Sequence, residues 1–196
     1  MERRNLGLSL AAVLLTACLY ARGGLKLLPM IALPVAVHEL SHVAALLLLG
    51  QRITGISLDA RGLCIGYDGT CSPHGHIVAA LAGPLGGAVY ALAGFTDVPW
   101  LKQSACLSLL LTAFNLLPLM PLDGGRVFSQ ICVLTLGETR GERLCRTVSA
   151  ALLALLLLGG VVLAAWKKST APLAAAIWLL LFQNEQEALV KSDQII

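Results

Sequence analysis

Three of the five residues from 38 to 42 could do chemistry together: His38-Glu39-Leu40-Ser41-His42. On an α-helix, positions i and i+4 lie on one face, one turn apart. Two imidazoles so placed can both offer a ring nitrogen to one Zn²⁺ at about 2.0–2.1 Å. Glu39 stands beside the first of them. A carboxylate there can take a proton from water and later return it to a leaving amine. Zinc lowers the pKa of a coordinated water toward about 7, so a nucleophile is available at neutral pH. From the chain's own His and Glu content, the pattern arises by chance roughly once in 400 sequences.

A zinc site needs a third protein ligand and an open position for water. The candidates are Asp123, His74 and His76. Asp123 closes the run Asn115-Leu116-Leu117-Pro118-Leu119-Met120-Pro121-Leu122-Asp123 and precedes Gly124-Gly125. Two prolines bar a regular helix there, and the glycines free the backbone to bend away after the carboxylate. The stretch reads as a broken membrane segment, which is tolerated at depth where it is buried or lines a cavity. His74 and His76 stand in Ser72-Pro73-His74-Gly75-His76 and read as loop residues at the membrane interface.

The elements that must hold these groups follow from composition. The 196 residues are 57% hydrophobic and 13% charged, and mean hydropathy is +0.81. A soluble domain averages about 45–50% apolar and about 25% charged residues. This excludes a water-soluble enzyme and a disordered chain, and leaves a polytopic membrane protein. The fold class expected is all-α, with about six transmembrane helices. Their apolar segments are Leu6–Ala21, Leu27–Leu49, His76–Phe95, Leu101–Leu122, Thr147–Trp166 and a short one at Ala171–Phe182. The first resembles a signal peptide, yet a second apolar segment follows at once, so it reads as an uncleaved helix. Between the second and third, alternation at Ile53, Ile56, Leu58 and Leu63, Ile65, Tyr67 suggests a small membrane-associated β-hairpin turning at Ala60-Arg61-Gly62. Gly137–Arg146 reads as a charged loop. Residues 1–196 are expected to form one membrane-embedded domain with its core at about 27–136.

The net charge of +3 comes from scattered basic residues, not from a nucleic-acid-binding patch. Six cysteines follow no paired-ligand spacing. Under six spans, Arg3, Arg4, Arg52, Arg61, Arg126, Arg140, Arg143, Arg146 and Lys191 share one side. Arg22, Lys26, Lys102, Lys167 and Lys168 share the other. That imbalance favours a cell-membrane protein with both termini in the cytoplasm.

His38-Glu39-Leu40-Ser41-His42 in one span, with Asn115 to Gly125 in a later one, resembles the site-2 protease family of intramembrane zinc metalloproteases. Ala82-Gly83-Pro84 resembles the small-residue signature of that family's intervening helix. The resemblance covers Leu27 to about Leu136. It implies that His38, His42 and Asp123 bind one zinc ion, that Glu39 is the general base, and that Asn115 holds or polarises the substrate. It implies, as partners, the lipid bilayer, a membrane-embedded or membrane-tethered protein substrate and a membrane regulatory protein. The layout is similar to the bacterial stage IV sporulation FB-type branch, which cleaves a membrane-tethered sigma-factor precursor, but with no room for a PDZ or CBS domain. The rival reading is a zinc-binding membrane transporter or sensor, which has no use for a base at position 39.

Overall fold

The computed structural model describes residues 27–59, 62–68, 71–120 and 122–167. The expected segments Leu6–Ala21 and Ala171–Phe182, and the turn residues Ala60 and Arg61, lie outside them. In chain order the elements are α1 (Leu27–Leu48), β1 (Arg52–Asp59), β2 (Gly62–Asp68), α2 (Pro73–Ala91), a 3-10 turn (Leu92–Phe95), α3 (Pro99–Asn115), α4 (Asp123–Leu136) and α5 (Glu138–Lys167). The chain forms two compact units, dividing between Leu116 and Leu117.

In the first unit, α1 carries Pro34 inside it. Proline has no N–H, so the carbonyl of Met30, four residues earlier, loses its helical donor. Ser104 of α3 supplies a replacement: its Oγ donates to Met30 O at 2.9 Å. Ser104 is fully buried and also shares a 2.9 Å hydrogen bond with the Tyr90 hydroxyl. One turn on, Ser108 Oγ donates to Gly87 O at 2.8 Å. A further turn on, Thr112 Oγ1 donates to Pro84 O at 3.4 Å. Residues 104, 108 and 112 are spaced i, i+4, i+8, so α3 lays one polar stripe against backbone carbonyls of α1 and α2. A side-chain donor such as Ser104 is how a proline-bearing helix satisfies its freed carbonyl where water is absent.

Helix α2 begins sooner than the sequence reading placed it. Ser72 is its N-cap, with Oγ accepting from Gly75 N at 3.1 Å, and Pro73 takes the first helical turn. Both are strong start signals. His74 and His76 therefore sit in the first helical turn, not in a loop, which corrects their assignment as loop residues. Strands β1 and β2 pair antiparallel, with Ile53 opposite Tyr67, Ile56 opposite Ile65 and Leu58 opposite Leu63, and an irregularity between Ile53 and Gly55.

In the second unit, α4 starts at Asp123 and runs through Gly124 and Gly125. The glycines are thus not a bend after the carboxylate, as the sequence suggested. A Cβ on Gly125 would collide with the backbone of Leu119, so its missing side chain lets the preceding chain fold over the new helix. Leu119 is fully buried there. Gly137 at φ +79° ends α4. Helix α5 follows at once and is continuous over 30 residues. The expected charged loop Gly137–Arg146 is instead mostly the first turns of α5. Glu138 favours a helix start, and Glu142 lies four residues before Arg146, the stabilising order. Gly141 lets the two helices touch, since a Cβ there would stand 2.8 Å from the backbone of Cys132.

Pro29–Leu48, Pro73–Phe95 and Glu138–Val162 are, among the described residues, three helices long and apolar enough to cross a membrane. Helix α3 ends at Asn115 after 17 residues, about 26 Å at 1.5 Å per residue. The expected segment to Leu122 is therefore shorter as helix, because Pro118 and Pro121 follow. Large apolar side chains face outward, including Leu48, Leu85, Val89 and Leu158. An apolar surround, not water, suits such a surface.

Candidate metal centre

Helix α1 brings His38 and His42 to one face, as four-residue spacing requires. His38 is 4% exposed, and its Nε2 lies 3.3 Å from Nε2 of His42. The rings meet edge to face, with centroids 4.9 Å apart. Two nitrogens each about 2.0–2.1 Å from a tetrahedral ion stand about 3.3–3.4 Å apart. The spacing of this pair therefore fits a tetrahedral metal ion.

The second nitrogen of His42 sets which tautomer it presents. Nδ1 lies 2.7 Å from the carbonyl oxygen of Ala79 on α2. A carbonyl only accepts, so Nδ1 carries the proton and donates. Nε2 then holds the lone pair that a metal needs. Helix α2 approaches this ring through glycine: a Cβ on Gly83 would run into Nε2 of His42. A Cβ on Gly86 would run into Ser41 Oγ, which itself donates to Val37 O at 2.7 Å. The sequence reading saw small residues at 82 and 83 but not what they contact. It missed Ala79 altogether, because a backbone acceptor leaves no mark on residue type.

Glu39 follows His38 on α1 and is half-buried. Asn115 closes α3, where its Nδ2 donates to Leu111 O at 3.0 Å. Among the remaining candidates of this unit, His74 is exposed and His76 half-buried. Asp123 belongs to the second unit. It is 6% exposed, in the first turn of α4, with one carboxylate oxygen 4.0 Å from the Arg126 guanidinium. A helix N-terminus is the favourable end of the dipole for a carboxylate. The structure thus joins His38 to His42, places Glu39 next to them in sequence, and gives Asn115 and Asp123 fixed positions at helix ends.

A helical membrane protein with two converging imidazoles is the class these features define. The peptidase M50B-like family model matches residues 8–137, and the chain belongs to that family. A zinc metalloprotease of Methanocaldococcus jannaschii is 28% identical over 137 residues, covering 65% of this chain and 40% of that protein. The chain thus spans about 40% of that curated relative's length. The solved structure of a site-2 protease from the same organism has the same fold, with a TM-score of 0.66 at 23% identity, covering 94% of this chain and 87% of that one.

Proposed function

We propose that this chain is an intramembrane zinc metalloendopeptidase that hydrolyses a peptide bond in or beside a membrane-spanning segment of a substrate protein. The observation that carries the reading is the His38–His42 pair. Its nitrogens stand at tetrahedral ligand spacing, and one ring is held in the metal-binding tautomer by Ala79 O. Family membership supports the activity, and the zinc-dependent relative supports the choice of metal.

Zinc, when bound, supplies Lewis acidity to the scissile carbonyl and to water. The chain's own residues do the rest. His38 and His42 would hold the ion. Asp123 is assigned as third ligand because two neutral imidazoles and one carboxylate leave less net charge on the ion than three imidazoles, which lowers the cost of a low-dielectric site. Glu39 accepts a proton from the attacking water and delivers it to the leaving amine. Asn115 steadies the substrate backbone. Helices α1, α2, α3 and α5, with the sequence segments Leu6–Ala21 and Ala171–Phe182, would make about six spans of one catalytic domain, with both termini in the cytoplasm.

The test is co-expression with a single-span substrate, comparing the parent chain with Glu39→Gln. The expected result is a fragment seen only with the parent, from proteins of equal zinc content. Equal cleavage by both would overturn the protease reading. Zinc movement that depends on His38 but not on Glu39 would favour a transporter.

A further inference from the structure

We propose that Gly83 is a positioning residue for His42: with the Ala79 carbonyl one turn earlier on the same helix, it fixes where that imidazole sits and which nitrogen faces the metal. This rests on the reading of His42 as a metal ligand.

Three observations converge on one ring. The nearest atoms to a Cβ built on Gly83 are all atoms of the His42 imidazole: Nε2, then Cε1 at 2.6 Å and Cδ2 at 2.8 Å. None is backbone, so the glycine accommodates the ring itself and not merely a close approach of two helices. Gly86 differs on this point, since its neighbours include the Val37 carbonyl. The geometry also says where the ring is touched. An atom in the ring plane along the Nε2 lone pair would be much farther from both carbons than from the nitrogen. Here the carbons are nearly as close. Gly83 therefore lies over the face of the ring at Nε2 and leaves the in-plane lone pair clear. Meanwhile Ala79 O holds the opposite nitrogen at 2.7 Å.

Two constraints from one helix, a hydrogen bond at Nδ1 and a backbone face over Nε2, determine both tilt and tautomer. A methyl group on Gly83 has no free space there. It must displace the imidazole, and with it the 3.3 Å spacing to His38. Outer partners of this kind typically change metal affinity by about 10–100-fold when altered. The glycine is the partner of the ring, so its effect should vanish when the ring is absent.

The experiment is a double-mutant cycle on the full chain in detergent, with metal removed, reading thermal unfolding for Gly83→Ala, His42→Ala and the pair. Gly159→Ala is the control, because a Cβ there meets nothing within 4 Å. Gly83→Ala is expected to lower the melting temperature beside His42, and to behave like the control once His42 is alanine. If Gly83→Ala fails to fold alone but folds in the His42→Ala background, the proposal is equally supported. Equal damage in both backgrounds would overturn it, because the glycine would then serve helix approach alone. A second measurement is zinc affinity by competition with a chelator. A loss of about 10–100-fold in Gly83→Ala is expected, and unchanged affinity overturns the proposal. Failure of the parent chain to bind zinc would instead strike at the assignment of His42 as a ligand, so the two failures are distinguishable.

Discussion

At the scale of single residues, the division of labour on α1 gives the sharpest expectations. On the proposed reading Glu39 is a neighbour of the ligands and not one of them. Glu39→Gln should therefore keep stoichiometric zinc and lose cleavage by about 10²–10⁴-fold, the usual contribution of a general base. Metal analysis beside a substrate-cleavage assay checks both halves. The third ligand is open to a similar test. Asp123→Ala should lose zinc and proteolysis together, whereas the double variant His74→Ala, His76→Ala should keep zinc. Zinc lost from the double variant but kept in Asp123→Ala would reverse the assignment. The pair of imidazoles was legible from spacing alone, because a four-residue interval on a helix determines a shared face. Ala79 and Gly83 were not, because they act through backbone and empty space 37 and 41 residues away from His42.

Elements show a different balance. Apolar length identified α1 and α2, and capping signals at Ser72 and Pro73 were present but read as a turn. The start of α5 was missed because charge density was taken as loop, although acidic residues precede basic ones in helical order. The polar stripe of α3 went unread for another reason. A serine in an apolar run is unremarkable until one asks which carbonyls the prolines of other helices have left without a donor. Ser104 answers that question for Pro34, and a stability test follows. Ser104→Ala leaves the part-buried Met30 carbonyl without that donor and should cost about 1–3 kcal/mol. Pro34→Ala restores an N–H to Met30 O, so Ser104→Ala should cost less in that background. Denaturant unfolding of the four proteins in detergent gives the coupling directly. Equal costs in both backgrounds would mean that Ser104 matters through Tyr90 instead.

For the molecule as a whole, the prediction concerns which way it lies in the bilayer, and α5 is the element that decides it. Its first turns expose Arg140, Arg143 and Arg146. From Thr147 to Trp166 no charged residue interrupts the helix. About 20 residues rise about 30 Å, one hydrocarbon thickness. Trp166, 83% exposed, stands at the far end, where an indole suits the headgroup boundary. If that stretch crosses the bilayer, as proposed, the arginines precede it on one side and the sequence pair Lys167-Lys168 follows it on the other. The count of Lys and Arg differs by only one between these ends, so α5 alone orients weakly. Under the proposed six-span topology the sequence assigns Arg3, Arg4, Arg52, Arg61, Arg126 and Lys191 to the arginine side as well, which favours the cytoplasm there. Reporter fusions at Arg143 and at Lys168 should accordingly report cytoplasm and exterior in that order. Replacing Arg140, Arg143 and Arg146 with glutamine should weaken the preference and give mixed reporter signals. An Arg143 fusion active outside the cell would invert the assignment and carry the Asp123 end of α4 to the opposite face. The depth of Asp123 along α5 would not change with it, because Ser149, just past the arginines, donates to Pro118 O at 3.5 Å and ties the chain before Asp123 to the first turn of the apolar stretch. The orientation test therefore decides from which side of the membrane this carboxylate is reached, while zinc binding tests what it does there.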